Sequence, residues 1–513
     1  MASFEDFVCV NSSPGSGSSD SVGAEFIKHS SGKRIYTPAI IARTLRSKYP
    51  KHHITVSRGN VNLISYASSQ PDVKYQLREP SEALIQRQFI PPARRYNDET
   101  GGSIGESIQI AGYDFDHKGD ALIVYIVQGR DGLYVEPSNF ILVAPSGDEV
   151  MTQDEKAAAQ KKADVLLESS TRWSQELHGE VLIFDNGYWQ KNKELWENVQ
   201  KSYWFDVIME EKRKEAIIED VIGFFDAEKR YAEFKVPWKR GVIFYGPPGN
   251  GKTISTKALM HDLSQRTSPD VESLYVKTFK TYAGPEAGIR MIFQKARQMA
   301  PCLLIFEDID SLVDVSVRSY FLNEVDGLES NHGILMIGST NHLERLDPGI
   351  AKRPSRFDRK YLFDVPNRGE RIQYCEYWRY KLRKNKKVDF PGELSSMIAD
   401  LTSDFSFAYM KEAFVAALLV IVAKKDEQLL RSRRVEDDFR DNVFWKEIKK
   451  QIAGLRKEME EESLVDEEEA PKPAEAAVRE PFSWPNLSSL LDERSILGPE
   501  RGESPQYAMP RYM

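Results

Sequence analysis

Eight consecutive residues, Gly246, Pro247, Pro248, Gly249, Asn250, Gly251, Lys252 and Thr253, combine what phosphate binding requires. The glycines permit a tight turn whose backbone N–H groups converge on phosphate oxygens. Lys252 brings positive charge to the outer phosphates, and the Thr253 hydroxyl is a ligand for Mg²⁺. Every fixed position of G-x-x-x-x-G-K-[ST] is kept. Fifty-six positions beyond Lys252, the apolar run Cys302-Leu-Leu-Ile-Phe306 leads into Glu307, Asp308, Ile309 and Asp310. Acidic residues after a strand usually face solvent or cap a helix. Coupled to a phosphate loop, they supply the other half of phosphoryl transfer: Glu307 would hold Mg²⁺ through its water shell, and Asp308 would orient and deprotonate an attacking water. The expected chemistry is hydrolysis of ATP to ADP and phosphate, with ATP and Mg²⁺ as the cofactors.

Such groups need rigid supports. The run 241–245 ends where the loop begins, and 254–263 is helix-compatible, so its N-terminal dipole adds to the anion site. Further strand candidates at 274–276, 303–306 and 334–337 alternate with helical patterns, which predicts a parallel sheet covered by helices on both faces. From Arg368 to about Met459 helical segments dominate and suggest a lid. Upstream, a helix at 38–47 precedes β-branched runs, of which 121–127 and 132–135 flank a turn-prone 129–132 as a hairpin. A helix rich in Ala, Lys and Glu between Thr152 and Glu176 and a short strand at 180–184 follow. The expected organisation is a disordered leader at 1–34, an α/β N-terminal domain at 35–190, and a P-loop NTPase α/β subdomain at 191–366. A helical lid at 367–458 and an acidic, Pro-rich disordered tail at 459–513 complete it.

Composition narrows the class. At 513 residues the chain has room for several domains, and 41% hydrophobic with 29% charged residues is ordinary for a globular protein. A net charge of −8 gives no overall pull toward nucleic acid or anionic membranes. The basic clusters at 379–387 and 431–434 are interleaved with acids and aliphatics and read as solvated helix faces, so a nucleic-acid partner is not expected. Cys9, Cys302 and Cys375 lack C-x-x-C spacing, which disfavours zinc or a disulfide framework and fits a reducing compartment. No run reaches the ~18–20 apolar residues of a membrane span. The opening segment has neither the charged nor the apolar region of a signal peptide, and no Arg precedes Lys28 as a mitochondrial presequence would require. A cytoplasmic location is expected, with the nucleus and the mitochondrial matrix as the other options.

Between about Phe205 and Ala423 the sequence resembles the AAA clade of AAA+ ATPases. Gly338-Ser-Thr-Asn341 is similar to the sensor 1 strand end, and the resemblance implies that Asn341 polarises the attacking water. Leu346-Asp-Pro-Gly349 through Arg353-Pro-Ser-Arg356-Phe-Asp358 resembles the second region of homology, which implies Arg353 and Arg356 as arginine fingers acting on a neighbour's ATP. A ring of the chain's own copies follows, a homohexamer in most of the clade, and Leu322-Asn-Glu-Val-Asp-Gly-Leu328 matches the clade's interface helix. Taken alone, the two arginines would read as a surface pair for Asp358.

Tyr282, Ala283 and Gly284 fall where the clade carries its aromatic–hydrophobic–Gly pore loop, although a lone loop Tyr is more often half-buried packing. A ring of such aromatics grips an extended chain through contact area that ignores its sequence. Adenine would rest against the backbone around Val207 and Ile208, as in AAA relatives. Three features depart from the clade. The carboxylates run Glu-Asp rather than Asp-Glu, an order seen in relatives of the mitochondrial chaperone that assembles the cytochrome bc complex. Ile218-Glu-Asp-Val221 and Val236-Pro-Trp-Lys-Arg-Gly241 are similar to that group too, but no membrane anchor like that chaperone's is expected. The shorter Asp308 implies slow turnover, and Phe405-Ser-Phe-Ala-Tyr409 stands where Ser-Gly-Ala-Asp is usual, leaving the lid's adenine contact open. The function implied is a ring motor that remodels, unfolds or disassembles protein clients. The alternatives are a nucleic-acid-remodelling motor and an ATP-gated assembly scaffold that hydrolyses slowly.

Overall fold

The computed structural model describes residues 37–469 apart from positions 60, 92–101, 132–133, 148, 328, 354 and 424–441. The expected leader at 1–34, Cys9, the basic cluster at 431–434 and the tail from 470 onward lie outside the described residues.

Period-two burial builds the first unit. Helix α1 (Thr37–Lys48) and β1 (His53–Arg58) are followed by α2 (Leu63–Ser69), β2 (Val73–Leu77), β3 (Leu84–Ile90), β4 (Ser103–His117), β5 (Asp120–Asp131), β6 (Tyr134–Val143) and α3 (Gln153–Gln175). The strands form an antiparallel sheet ordered β1-β6-β5-β4-β2, with β3 pairing the first half of β4. Ala111, Tyr113 and Phe115 face Ala159, Ala163 and Leu166 of α3, while the opposite face buries Tyr125, Phe140 and Leu142 against Ala42 and Leu45 of α1. The hairpin turn expected at 129–132 is not made at 129–131. β5 continues through Gly129 and Arg130 and pairs Asp131 with Tyr134, because ladder pairing overrides local turn propensity. Lys118 and Gly119, at φ 57° and 91°, instead make a tight two-residue turn between β4 and β5.

The second unit runs β7 (Val181–Asp185), β8 (Tyr188–Asn192), α4 (Lys193–Val199), α5 (Glu211–Phe225), α6 (Glu228–Glu233), β9 (Lys239–Tyr245), α7 (Lys252–Ser264), β10 (Glu272–Val276) and α8 (Pro285–Gln298). It continues with β11 (Cys302–Phe306), α9 (Ile309–Leu312), α10 (Arg318–Asp326), β12 (Ile334–Thr340), α11 (Pro348–Ala351) and β13 (Arg359–Leu362). The sheet order is β13-β9-β12-β11-β10-β7-β8, with every pairing parallel except β7–β8. α8 and α10 cover one face through Ile289, Ile292, Phe293 and Phe321; α5 and α7 cover the other through Ile217, Phe224, Ala258 and Leu259. This is the expected α/β architecture, a mostly parallel sheet covered by helices on both faces. One boundary is corrected. The strand expected to close the N-terminal domain, β7, pairs in parallel with β10, so the ATPase sheet begins at Val181 and not after 190. Its four buried residues from Val181 to Phe184 are the continuous apolar run of a strand covered on both faces.

Four helices follow: α12 (Arg368–Leu382), α13 (Glu393–Leu401), α14 (Phe407–Ala423) and α15 (Val443–Glu469). They close around Cys375, Ile398, Phe405, Phe414, Phe444 and Ile448, with Trp378 stacked on Phe414 at 5.2 Å. The acidic stretch expected to start a disordered tail at 459 is helical to Glu469, since a Glu-rich run without Gly or Pro has good helix propensity. No described helix is long and apolar enough to cross a membrane.

Candidate nucleotide-hydrolysis site

β9, β11 and β12 are neighbours in a parallel sheet, so their carboxyl ends open at one rim, the position where such sheets hold ligands. The loop from Gly246 to Gly251 leaves β9 at that rim. Gly246 has φ 135°, and a Cβ there would lie 2.3 Å from the Phe363 carbonyl oxygen. Gly249 has φ 77°, and a Cβ would meet that of Ala408 at 2.5 Å. Both positions therefore require glycine. Lys252 opens α7 and is 8% exposed; its ammonium donates to the carbonyls of Gly246 (2.6 Å) and Pro247 (3.0 Å). Burial pushes its pKa down while Asp308 and Asp310 draw it back. Thr253 follows with an exposed side chain. Asn250 is buried, donating to the Pro247 carbonyl and accepting from Phe407 N–H at 3.3 Å, so it fastens the loop to the lid.

β11 delivers the carboxylates beside β12. Asp308 sits in the left-handed region at φ 48° and ψ 53°, a conformation costing about 1–2 kcal/mol for a non-glycine residue. Its N–H donates to Ser339 Oγ, and its carbonyl accepts from Ser311 and Leu312 N–H. Glu307 accepts a hydrogen bond from Tyr275 Oη on Oε2, while Oε1 is buried and accepts none among the described residues. Asp310 accepts from Thr340 Oγ1 at 2.8 Å, and Thr340 Oγ1 in turn accepts from His342 N–H, which fixes the strand end that carries half-buried Asn341.

Partial burial, then repulsion from Glu307 and Asp310, raises the pKa of Asp308 above its ordinary value, with Lys252 opposing. A base with a raised pKa takes up its proton at higher pH than an ordinary aspartate. If Asp308 is the base that takes the proton of an attacking water, the hydrolysis rate falls on acidification at a pH above the usual Asp range. Asp310→Asn removes one repelling charge and moves that acid limb to lower pH in a pH–kcat profile; an unmoved limb contradicts the electrostatic coupling.

Val207 and Ile208 join Asp206, Gly249, Gly251, Ile254, Tyr374, Phe407, Ala408 and Lys411 around a pocket of about 240 Å³ beside the loop. Phe407 and Ala408 occupy the stretch that departs from Ser-Gly-Ala-Asp, and Ala408 N–H donates to the Gly249 carbonyl at 3.1 Å. The lid thus reaches the pocket with Phe407 and with the backbone of Ala408. Tyr374 and Lys411 carried no sequence signal, because the contact is tertiary.

The two arginines part company. Arg353 is 59% exposed and only 3.6 Å from Asp326. Arg356 is 6% exposed, forks onto both Asp326 oxygens at 2.8 and 2.6 Å, and donates to the Gly349 carbonyl. It holds the Asp326 carboxyl below the usual range. Three of the Arg356 donors are thus engaged within its own chain, whereas Arg353 is held only loosely. Asp358 pairs with Arg240 at 3.0 Å instead of with either arginine.

Tyr282 lies between β10 and α8 and is fully exposed, which removes the half-buried packing alternative. Thr281 Oγ1 donates to the Gly284 carbonyl at 2.6 Å and accepts from Ala283 N–H, so the tip is held from within.

Residues 242–365 match the family model described as ATPase family associated with various cellular activities (AAA). The chain is 36% identical over 160 residues to human ATPase family AAA domain-containing protein 2, covering 28% of this chain and 11% of that protein. Identity to Tat-binding homolog 7 of Caenorhabditis elegans is 31% over 205 residues, covering 37% and 15%. It is 30% over 219 residues to ATPase histone chaperone abo1 of Schizosaccharomyces pombe, covering 40% and 18%. The chain spans less than a fifth of the length of these curated relatives. What it shares with them is an AAA ATPase domain.

Proposed function

We propose that the AAA ATPase domain of this chain hydrolyses Mg²⁺·ATP within a homohexameric ring and uses the turnover to remodel, unfold or disassemble protein clients. The observation that carries this reading is Tyr282, fully exposed on an internally held loop of the same domain that presents Lys252 and Asp308. The donor set fits the nucleotide and its metal. The glycine cradle and buried Lys252 suit a triphosphate, and the unpartnered buried Glu307 Oε1 suits a metal-bound water. Residues 246–253 would hold the phosphates, Val207 and Ile208 the adenine, and Thr253 with Glu307 the Mg²⁺. The metal would neutralise charge on the outer phosphate oxygens. Asp308 takes the proton of the attacking water, Asn341 orients that water, and Arg353 reaches toward the site of the adjacent copy.

Tyr282→Ala tests the client step. The variant loses ATP-driven unfolding of a fluorescent reporter bearing an unstructured peptide tail, together with the client-stimulated part of its ATPase, whereas Tyr282→Phe keeps both. Unfolding that survives Tyr282→Ala contradicts the pore-loop role.

The scaffold reading is favoured by one feature, the shorter Asp308 as base, and predicts that Tyr282→Ala changes nothing. A nucleic-acid motor predicts salt-dependent binding with stimulated ATPase, against the net charge of −8. The name of one relative points to histones as a client class and hence to the nucleus. The likeness of Glu307-Asp308 and of 236–241 to the cytochrome bc assembly chaperone group points to mitochondria instead. Proteins retained by an ATP-locked ring separate these from the cytoplasmic expectation.

A further inference from the structure

We infer that Tyr275 is a positioning residue that aims the metal-holding carboxylate, and that it is what makes the reversed Glu-Asp order workable. The inference rests on the Mg²⁺·ATPase reading above. Tyr275 lies on β10, in parallel register with Ile305 of β11. Glu307 stands two residues beyond Ile305, so the two side chains meet diagonally at the strand ends. Tyr275 Oη donates to Glu307 Oε2 at 2.5 Å, a length within the range of a hydroxyl on an ionised carboxylate. Of the pair, only the phenol has a proton to donate when Glu307 is ionised, so the hydroxyl is the donor. Its ring packs against the core shared with α7, which locks the direction from which it donates.

The consequence for Glu307 is geometric. A glutamate has one more rotatable bond than an aspartate and, at a strand end, more freedom to swing away from the rim. The Tyr275 bond removes that freedom by fixing Oε2. Oε1 is left buried and without a partner among the described residues, ready to accept from a metal-bound water. A shorter aspartate at this position would not reach Tyr275 with the same oxygen. The long carboxylate and the tyrosine therefore act as a unit, in the way that outer groups orient metal-holding side chains elsewhere.

Tyr275→Phe in the full chain removes only the hydroxyl and keeps the ring in its packing site. The test follows binding of a fluorescent ATP analogue across a Mg²⁺ titration, with EDTA as the metal-free arm. The variant binds the analogue normally in EDTA, but the Mg²⁺ concentration needed for half the metal effect rises by roughly tenfold. Glu307→Asp shows a similar rise, and Tyr275→Phe added to Glu307→Asp has no further effect, because the bond is already gone. The role is overturned if Tyr275→Phe needs the same Mg²⁺ as the parent, if it loses affinity equally in EDTA, or if the two substitutions add. A parent chain whose nucleotide affinity ignores Mg²⁺ overturns the Mg²⁺·ATPase reading itself, and the role of Tyr275 with it.

Discussion

Asp308→Asn lowers kcat for ATP hydrolysis by roughly 10²–10⁴-fold, the contribution of a positioned general base. Nucleotide affinity stays within about threefold, because the loss falls on a group used only in the transition state. Asn and Asp share size and shape, and the left-handed backbone at this position suits Asn as well as Asp. The N–H donated to Ser339 Oγ and the carbonyl accepting from Ser311 belong to the backbone and survive the change. The variant therefore separates chemistry from folding: it binds ATP, holds its assembly and does not turn over. Rapid-mixing ATPase assays alongside equilibrium ATP binding check both halves. Turnover within tenfold of the parent would remove Asp308 as the base and leave Glu307 or Asp310 to be tested in its place.

Arg353→Ala carries the other large effect. Arginine fingers contribute roughly 10³–10⁵ in rate, and Arg353 is exposed with only a long contact to Asp326. Its removal lowers kcat by about that factor while ATP affinity and folding are kept. Arg356→Ala behaves differently. It breaks a buried fork onto Asp326 and a bond to the Gly349 carbonyl, so its first effect is a lowered thermal midpoint, with lost activity as a consequence. A circular-dichroism melt beside an ATPase assay distinguishes the two: Arg353→Ala is inactive but keeps the parent's midpoint, whereas Arg356→Ala melts at a lower temperature. If Arg353→Ala hydrolyses ATP at the parent's rate, the site is complete within one subunit.

Much of the site was legible because its chemistry is local. The phosphate loop is one contiguous octet, the carboxylates follow one strand, and the tyrosine loop is one turn, so spacing along the chain sufficed to place them. What escaped depends on partners far away in sequence. Arg356 and Arg353 look alike as an R-x-x-R pair, and only Asp326, thirty positions upstream, tells them apart. Tyr275 gives no sign in a strand pattern that its hydroxyl meets Glu307, thirty-two positions on. β7 reads as an ordinary short strand, and its place in the second sheet comes from pairing with β10 some ninety residues later. The lid's approach through Phe407 and Ala408 was hidden for the same reason, although the departure at 405–409 marked where to look. Conversely, the helix through 460–469 follows local propensity: Glu is a good helix former, and this outweighs the disorder that acidic composition predicts.

Hydrolysis of ATP at a site built from two copies of the chain can be read out by mixing two inactive variants. Asp308→Asn and Arg353→Ala proteins are each purified, shown inactive alone, and combined in equal amounts under conditions where subunits exchange. Wherever an Arg353→Ala subunit contributes its intact Asp308 to a site facing the intact Arg353 of an Asp308→Asn neighbour, a whole site is restored. Hydrolysis then reappears on mixing, at a fraction of the parent rate. A mixture that exchanges subunits yet stays as inactive as its components would contradict a site built from two copies.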